Sequence, residues 1–343
     1  MKSLFSKHHG LIAAILLTLF TGYTLLDVFV IPHEYGDAIV TPTTAVTTDA
    51  NSKRTDKDSQ SGTDSNRSDT DPSDPSGNSG NSDDSGNSGN SGNSDLSEPV
   101  ITDTSYRDNN ISITITEYRV CDTNVYVADV TVSSPEYLYA AFAKDKYGRN
   151  IKEATSATAE RTNAILAING DFYGARNNGY VIRNGALYRK SSSNNEDLAI
   201  YKDGHMEIVY ESKISAQELL DDGAVQVWSF GPGLLENGEI TVSAREEVGR
   251  AMASNPRTAI AQVGENHYLF VVSDGRTSEN DGLTLYELAE FLQGLGAETA
   301  YNLDGGGSST MVFLGEVINN PTTNGRNTSE RSVSDIVCIG YRN

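Results

Sequence analysis

The chain has 343 residues, with 26 Lys and Arg against 47 Asp and Glu, for a formal net charge of −21. That balance excludes the basic footprint of a nucleic-acid binder, so no nucleic-acid partner is expected. Length alone would admit two domains, but the composition is uneven and only the back two thirds is able to bury a core.

At the N-terminus Lys2, Lys7, His8 and His9 precede an apolar run from Leu11 to Leu26, which Val28, Phe29, Val30 and Ile31 extend past the single charge of Asp27. About twenty apolar residues cross a bilayer. The exit Leu25-Leu26-Asp27-Val28 offers no small-residue cleavage site, so the run reads as an uncleaved signal anchor rather than a removable leader. The expected order is a cytoplasmic basic N-terminus over 1–10, a transmembrane helix over 11–31, and everything beyond on the extracytoplasmic side, since the basic flank stays in the cytoplasm. A buried core helix is the alternative. Residues 32–98 read as a linker: from Thr41 to Ser97 the chain is almost wholly Ser, Asp, Asn, Gly and Thr, including GNSGNSDDSGNSGNSGNS over Gly77 to Ser94. Such a composition cannot bury a core and predicts a disordered tether, which as a flexible coil would span roughly 40 Å root mean square.

After Pro99 the pattern changes. Alternating Ile111, Ile113 and Ile115, then Val125, Val127 and Val130, predict two strands. Helices are expected over Pro135 to Ala143 and over Ala154 to Asn163. Asn184-Gly185, Asp203-Gly204 and Asn237-Gly238 each sit between apolar runs, and such pairs supply the positive φ angles of tight hairpin turns. Capping boxes at Ser215 with Glu218 and at Thr284 with Glu287 open two further helices. In the second, Leu285, Leu288, Ala289, Leu292 and Leu295 form one apolar stripe that reads as core. Short antiparallel strands with few helices and no strict βαβ order give an α+β fold, a twisted and largely antiparallel β-sheet core with a few packed helices over 99–343. The only cysteines are Cys121 and Cys338. Outside the cytoplasm they are candidates for a disulfide joining the ends of the domain, with two buried small hydrophobes as the alternative.

Chemistry concentrates in four runs. The densest is Asn302, Asp304, Gly305, Gly306, Gly307, Ser308, Ser309 and Thr310, between an expected strand at Thr299 to Leu303 and another at Met311 to Leu314. Glycines let backbone approach a ligand closely, and successive N–H groups can form an anion site. The run is neither a Walker A loop nor a dinucleotide fingerprint; a flexible turn capped by the aspartate is the alternative. The second run is Asn169, Gly170, Asp171, Phe172 and Tyr173, after the apolar AILAI, with an Asx-type turn as its alternative. The third holds Arg257 in NPRTAIAQV, and the fourth is Ser273, Asp274, Gly275 and Arg276 after YLFVV. Either arginine could clamp a phosphate or carboxylate, or form a surface ion pair. No run contains a Cys or His nucleophile, and His205 and His267 sit in expected hairpins. Carboxylates, arginines and glycine amides together suit carboxylate-driven hydrolysis at a sugar that carries an anion.

AINGDFYG over Ala167 to Gly174, PRTAIA over Pro256 to Ala261, VSDGR over Val272 to Arg276, and above all LGAETAYNLDGGGSSTM over Leu295 to Met311 resemble the phosphodiester glycosidase family. The resemblance runs from about Ile111 to Tyr341, with SDIVCIGYR over Ser334 to Arg342 as the closing strand. Many relatives carry Asn-Gly-Gly where this chain has Asn169-Gly170-Asp171. The resemblance implies hydrolysis of a glycosyl phosphodiester, with Asp304, Asp171 and Arg257 as catalytic residues. Asn169, Gly170, Asp274, Arg276, Asn302, Gly305, Gly306, Gly307, Ser308 and Ser309 would then bind substrate. Arg257 and the amides of the three glycines would neutralise the phosphate while Asp304 acts on the sugar as base or nucleophile. The expected protein is a membrane-anchored extracytoplasmic hydrolase acting on cell-envelope polysaccharide and requiring no cofactor. One alternative is a phosphodiesterase in which Asp171, Asp274 and Asp304 hold Mg²⁺ or Ca²⁺. The other is a non-catalytic module that binds or assembles envelope polysaccharide.

Overall fold

The computed structural model describes residues 2–41, 98–245 and 254–342, with side chains from residue 13 onward. The low-complexity stretch over 42–97 lies outside them. Three sheets, antiparallel at every described pairing, surround one central core, and a fourth of two strands pairs His33–Glu34 with Gly148–Arg149.

The large sheet has nine strands, in the order Glu239–Ile240, Gly233–Glu236, Thr299–Asn302, Thr258–Gly264, His267–Ser273, Thr123–Val132, Ile111–Val120, Ser105–Arg107 and Val100–Thr102. Its Thr123–Val132 strand is buried on both faces: Tyr126, Ala128 and Val130 join the central core, while Val125 and Val127 face a helix on the other side. The second sheet runs Glu316–Val317, Met311–Phe313, Leu166–Asn169, Asp335–Ile339 and Leu138–Phe142. The third runs Ala186–Arg189, Val181–Arg183, Ala224–Trp228, Glu196–Tyr201 and Met206–Tyr210. Helix α1 spans Lys2–Phe29, α2 Thr155–Thr162, α3 Ala216–Asp221 and α4 Leu285–Gly294. Each of the last three covers the outer face of one sheet: α4 the large sheet, α2 the second and α3 the third.

Local sequence explains most of these elements. Asn184 and Gly185 take φ of 55° and 76°, and Asn237 and Gly238 take 52° and 77°, the left-handed pair that a two-residue hairpin turn needs. Both capping boxes form, with the Ser215 and Thr284 side chains accepting from the Glu218 and Glu287 amides. In α4, Leu285, Leu288, Ala289 and Leu292 are buried against the large sheet.

Three expectations are corrected. Residues 135–143 are not a helix: a single 3-10 turn at Pro135–Tyr137 leads into the Leu138–Phe142 strand. Leu138 and Ala140 face the central core while Tyr139 and Ala141 face the opposite cluster, and this two-residue period overrides the local preference of the alanines. Cys121 and Cys338 are both free. Cys121 lies in the exposed turn between two large-sheet strands, whereas Cys338 is buried in the second sheet. Finally, residues 33–40, assigned by sequence to the linker, pair with the domain: His33 and Glu34 with Arg149 and Gly148, and Val40 with Leu187. As for the expected membrane span, no described helix is long and apolar enough to cross a membrane; the side chains of Leu11 and Ile12, which begin the expected span, lie outside those described.

The cysteine placement is open to a direct check. A thiol reagent is expected to label one cysteine, Cys121, in the native protein and a second only after unfolding. A chain with no reactive thiol before reduction would restore the disulfide.

Candidate active site

The glycine-rich run is the crossover between two sheets. It leaves the large sheet after Thr299–Asn302 and enters the second sheet at Met311–Phe313. Asn169, the last residue of the adjacent Leu166–Asn169 strand, holds the crossover at both ends. Its Nδ2 donates to Asp304 O at 2.6 Å and Gly170 O at 3.2 Å, and its Oδ1 accepts from Thr310 N at 3.2 Å and Thr258 Oγ1 at 2.8 Å. With two donors and two acceptor positions used, the amide is saturated within the protein. Asn169 therefore positions the loop rather than holding a sugar hydroxyl.

The glycines serve close packing. Gly306 has φ +64°, and an added Cβ would come within 2.8 Å of the Arg276 guanidinium. A Cβ at Gly305 would lie 2.8 Å from Pro256 O, and one at Gly307 would collide with Thr323 Oγ1. The Gly306 amide donates to Pro256 O at 2.8 Å, and the Gly305 backbone bonds the Asp304 carboxylate. The expected cradle of three glycine amides around an anion is therefore not formed.

Asp304 is 8% exposed. Its carboxylate accepts from Ser308 Oγ at 2.6 Å and from Arg331 Nη2 at 3.2 Å, while Arg331 also donates from Nε to Ser308 Oγ at 2.9 Å and from Nη2 to Gly305 O at 2.8 Å. Burial pushes the Asp304 pKa above the ordinary carboxylate range, against the charge of Arg331 and the bonds from Ser308 and Gly305. The Arg331 side chain is 39% exposed. Together with Lys152, Asp171, Phe172 and Ser308, this pair lines a cavity of about 390 Å³. Phe172, partly exposed on the lining, offers an apolar face of the kind a sugar ring packs on. A larger groove of about 710 Å³, lined by Tyr137, Lys202, Tyr341 and Arg342 among others, contains none of the expected catalytic or substrate-binding residues. The site is identified by its chemistry rather than by its size.

Asp171 reaches the cavity but is committed inside the protein. It accepts from Arg183 Nη2 at 2.9 Å, Ser229 N at 3.1 Å and Tyr173 N at 2.8 Å. Arg183 also bonds Asp335 through Nε at 2.8 Å, and Trp228 Nε1 donates to the same oxygen at 3.3 Å. Burial, together with the nearby Asp171, raises the Asp335 pKa and Arg183 opposes the rise. Gly170 is glycine for this reason: a Cβ there would run into the Asp335 carboxylate.

The remaining expected residues lie around the site and fix its loops. Arg257 is 3% exposed, donates from Nε to Leu283 O at 2.8 Å and does not line the cavity. Asp274 accepts from Asn320 N at 2.8 Å and Asn320 Nδ2 at 3.0 Å, which anchors the start of the loop that carries Arg331. Arg276 donates to Thr323 O at 2.7 Å and Asn255 Oδ1 at 3.0 Å. Burial and the charge of Arg331 lower the Arg276 pKa, and its guanidinium is a second positive group beside the pair. Asn302 Nδ2 donates to Gly231 O at 2.8 Å, and Ser309 is buried with its amide donating to Gly306 O. The three carboxylates of the metal-dependent alternative each have partners within the protein. Asp171 is bonded to Arg183 and Asp274 to Asn320, and among the described residues no group of three His, Cys, Asp or Glu is placed to hold a metal ion.

Sequence reasoning missed Arg331 and Lys152, which sit in polar loops without a motif. It also missed Arg183 and Asp335, although a charged residue at the edge of an apolar strand, in YVIRNG and SDIVCIG, is a usable signal.

Comparison with known proteins agrees with the motif resemblance. The family model for phosphodiester glycosidase matches residues 162–340, more than half of the chain. The SPbeta prophage-derived uncharacterized protein YomE of Bacillus subtilis (strain 168) is 28% identical over 203 residues, covering 57% of this chain and 31% of that protein. The Mus musculus N-acetylglucosamine-1-phosphodiester alpha-N-acetylglucosaminidase is 30% identical over 203 residues, covering 53% of this chain and 38% of the mouse protein. The chain thus spans about a third of the length of these two curated relatives. Among solved structures, the zebrafish N-acetylglucosamine-1-phosphodiester alpha-N-acetylglucosaminidase catalytic domain, auto-inhibited by its pro-peptide, superposes with a TM-score of 0.55 at 25% identity, covering 68% of this chain and 83% of that one. The chain belongs to the phosphodiester glycosidase family.

Proposed function

We propose that the protein is a membrane-anchored, extracytoplasmic hydrolase that releases a sugar from a glycosyl 1-phosphodiester of the cell envelope. The observation that carries the reading is the pairing of a buried carboxylate, Asp304, with an accessible guanidinium, Arg331, on one cavity. Such a pair suits a substrate with a sugar on one side of the scissile bond and a phosphate on the other. The mammalian relatives, by name, act on N-acetylglucosamine 1-phosphodiesters.

In this chemistry the leaving group is a phosphate monoester, whose second pKa of about 6 makes it far easier to expel than an alkoxide. The demand for a general acid falls, and the work shifts to the sugar side and to neutralising the phosphate. Arg331 takes the phosphate, with Arg276 adding to the field, in place of the Arg257 that sequence suggests. Asp304 serves the sugar carbon as base or nucleophile, its raised pKa making the ionised form more basic. Phe172 supports the ring. Asp171, held by Arg183, shapes the floor of the cavity.

The anchoring part rests on α1. Its Ile15, Leu16, Leu17, Leu19 and Phe20 side chains are each at least half exposed, and a run of this kind beside Lys2 and Lys7 suits a bilayer with the N-terminus inside. Retention of the full chain in membranes through alkaline extraction tests it; release into the supernatant would remove the anchor.

On a sugar 1-phosphodiester, Asp304→Asn is expected to lower turnover by roughly 10²–10⁴-fold with an unchanged circular dichroism spectrum. Near-normal turnover in the folded variant would take Asp304 out of the chemistry. Arg331→Ala is expected to cost roughly 10²–10³-fold and to do something a packing role would not. Because the Arg331 charge lowers the Asp304 pKa, and activity rises with pH as Asp304 ionises, its removal moves the acid limb of kcat/KM to higher pH. An unmoved limb would separate Arg331 from that ionisation. Hydrolysis in ¹⁸O-labelled water should place the label on the sugar; label on phosphate would mean P–O cleavage by a different mechanism.

A further inference from the structure

Residues just after α1 do not leave the folded unit. His33 and Glu34 pair antiparallel with Arg149 and Gly148, and Tyr35 N donates to Tyr147 O at 3.1 Å. A few residues on, Ile39 N and Leu187 N donate to Leu187 O and Val40 O at 2.6 and 2.8 Å, and Val40 packs against the cluster that α3 closes. The end of the helix is held from the same patch: Arg149 Nη2 donates to Val28 O at 2.9 Å, and Asn150 Nδ2 to Val28 O and Ile31 O, both at 3.1 Å. Lys146 pairs with Glu34 at 2.9 Å. Backbone pairing of an extended segment to a free edge, with side chains seated on either side, is how a strand docks on a sheet.

Gly148 is shaped for this docking. A Cβ there would strike His33 O directly and come within 2.9 Å of Glu34 Cα; on the domain itself it would meet Ile151 Cδ1 at 2.7 Å, the movable end of a side chain. The glycine is thus required mainly by the incoming segment. The receptor patch is also continuous with the catalytic cavity. Tyr147 stacks on Tyr173 with centroids 5.3 Å apart and planes at 18°, Tyr173 N donates to Asp171, and Lys152 follows Asn150 into the cavity lining.

We infer that residues 27–40 form a clasp that fixes α1 to the catalytic domain. The low-complexity segment over 42–97 then departs from and returns to one folded unit and does not set the distance between helix and site. Both described flanks of that segment, up to Thr41 and from Glu98, fall in the same compact unit. On the anchoring reading above, on which this consequence rests, the enzyme serves glycosyl phosphodiesters held close to the bilayer rather than those within reach of a long tether.

The test uses the full chain in detergent micelles with a protease site inserted in the 43–95 segment. After complete cleavage, the N-terminal fragment and the domain are expected to co-elute in size exclusion. Gly148→Val, and separately Val40→Asp, which leaves the domain sequence untouched, are expected to release the domain from the fragment. Separation of the cleaved unsubstituted chain would overturn the clasp, and so would co-elution that survives both substitutions. Membrane retention plays no part in this readout, so failure of the clasp and failure of the anchor are told apart by elution on one hand and alkaline extraction on the other.

Discussion

One buried amide holds the active site in place. Asn169 stands where the second sheet ends, and its side chain bonds to Asp304 and Thr310 on the crossover and to Thr258 at the start of a large-sheet strand. Each such bond is worth only about 1 kcal/mol net, but breaking one strands a buried partner at a cost of about 1–3 kcal/mol. The crossover therefore cannot shift relative to either sheet without leaving several polar groups unpaired. The Asp304 backbone inherits that rigidity, and Ser308, Arg331 and the Gly305 backbone orient its carboxylate.

Behind this clip lies a second polar junction. Arg183 from the third sheet reaches Asp335 in the second sheet and Asp171 beside the cavity, with Trp228 stacked 4.9 Å from the guanidinium. One buried cation facing two aspartates is costly to desolvate, and removing it would leave uncompensated charge worth about 3–5 kcal/mol. Its use is geometric: with Trp228 on Asp335 and Asn184 on the Ala140 backbone it joins the second and third sheets through polar contacts, and it holds Asp171 against free movement in the cavity.

What was legible in the sequence follows from where the information is local. Hairpins at Asn184-Gly185 and Asn237-Gly238 are fixed by φ, and the helices at Ser215 and Thr284 by caps within three residues. The glycine run that carries the candidate site was legible too, because three glycines with a carboxylate beside them leave a compact signature. Side-chain roles were not, because they depend on non-local partners. Arg257 looks like a clamp in sequence, yet its Nε is used by Leu283 O. Asn169 looks like a sugar ligand, yet all its bonding capacity goes to backbone and Thr258. Arg331 sits in a polar loop that nothing local distinguishes. Non-local anchors bring it to Asp304: Asn320 on Asp274, Thr323 on Arg276, and the Arg331 amide on Gly307 O. The Leu138–Phe142 strand was misread as helix for the same reason, since its identity comes from pairing with Asp335–Ile339.

The asymmetry of the central pair bears on how the site would work. The carboxylate is buried and the guanidinium is not, so burial raises the Asp304 pKa while Arg331 holds it down. On the proposed reading, a substrate phosphate that engages Arg331 neutralises part of the charge opposing the rise, and the basicity of Asp304 increases as the substrate seats. Exposure allows Arg331 to meet a phosphate without first breaking into the core, and Gly305 O and Ser308 Oγ give its guanidinium a resting place. A deeply buried arginine such as Arg257 or Arg183 could not make that exchange without abandoning bonds that the fold requires. On that reading the phosphate-facing role falls to the exposed arginine beside Asp304, and the sugar-facing role to the carboxylate whose backbone Asn169 holds.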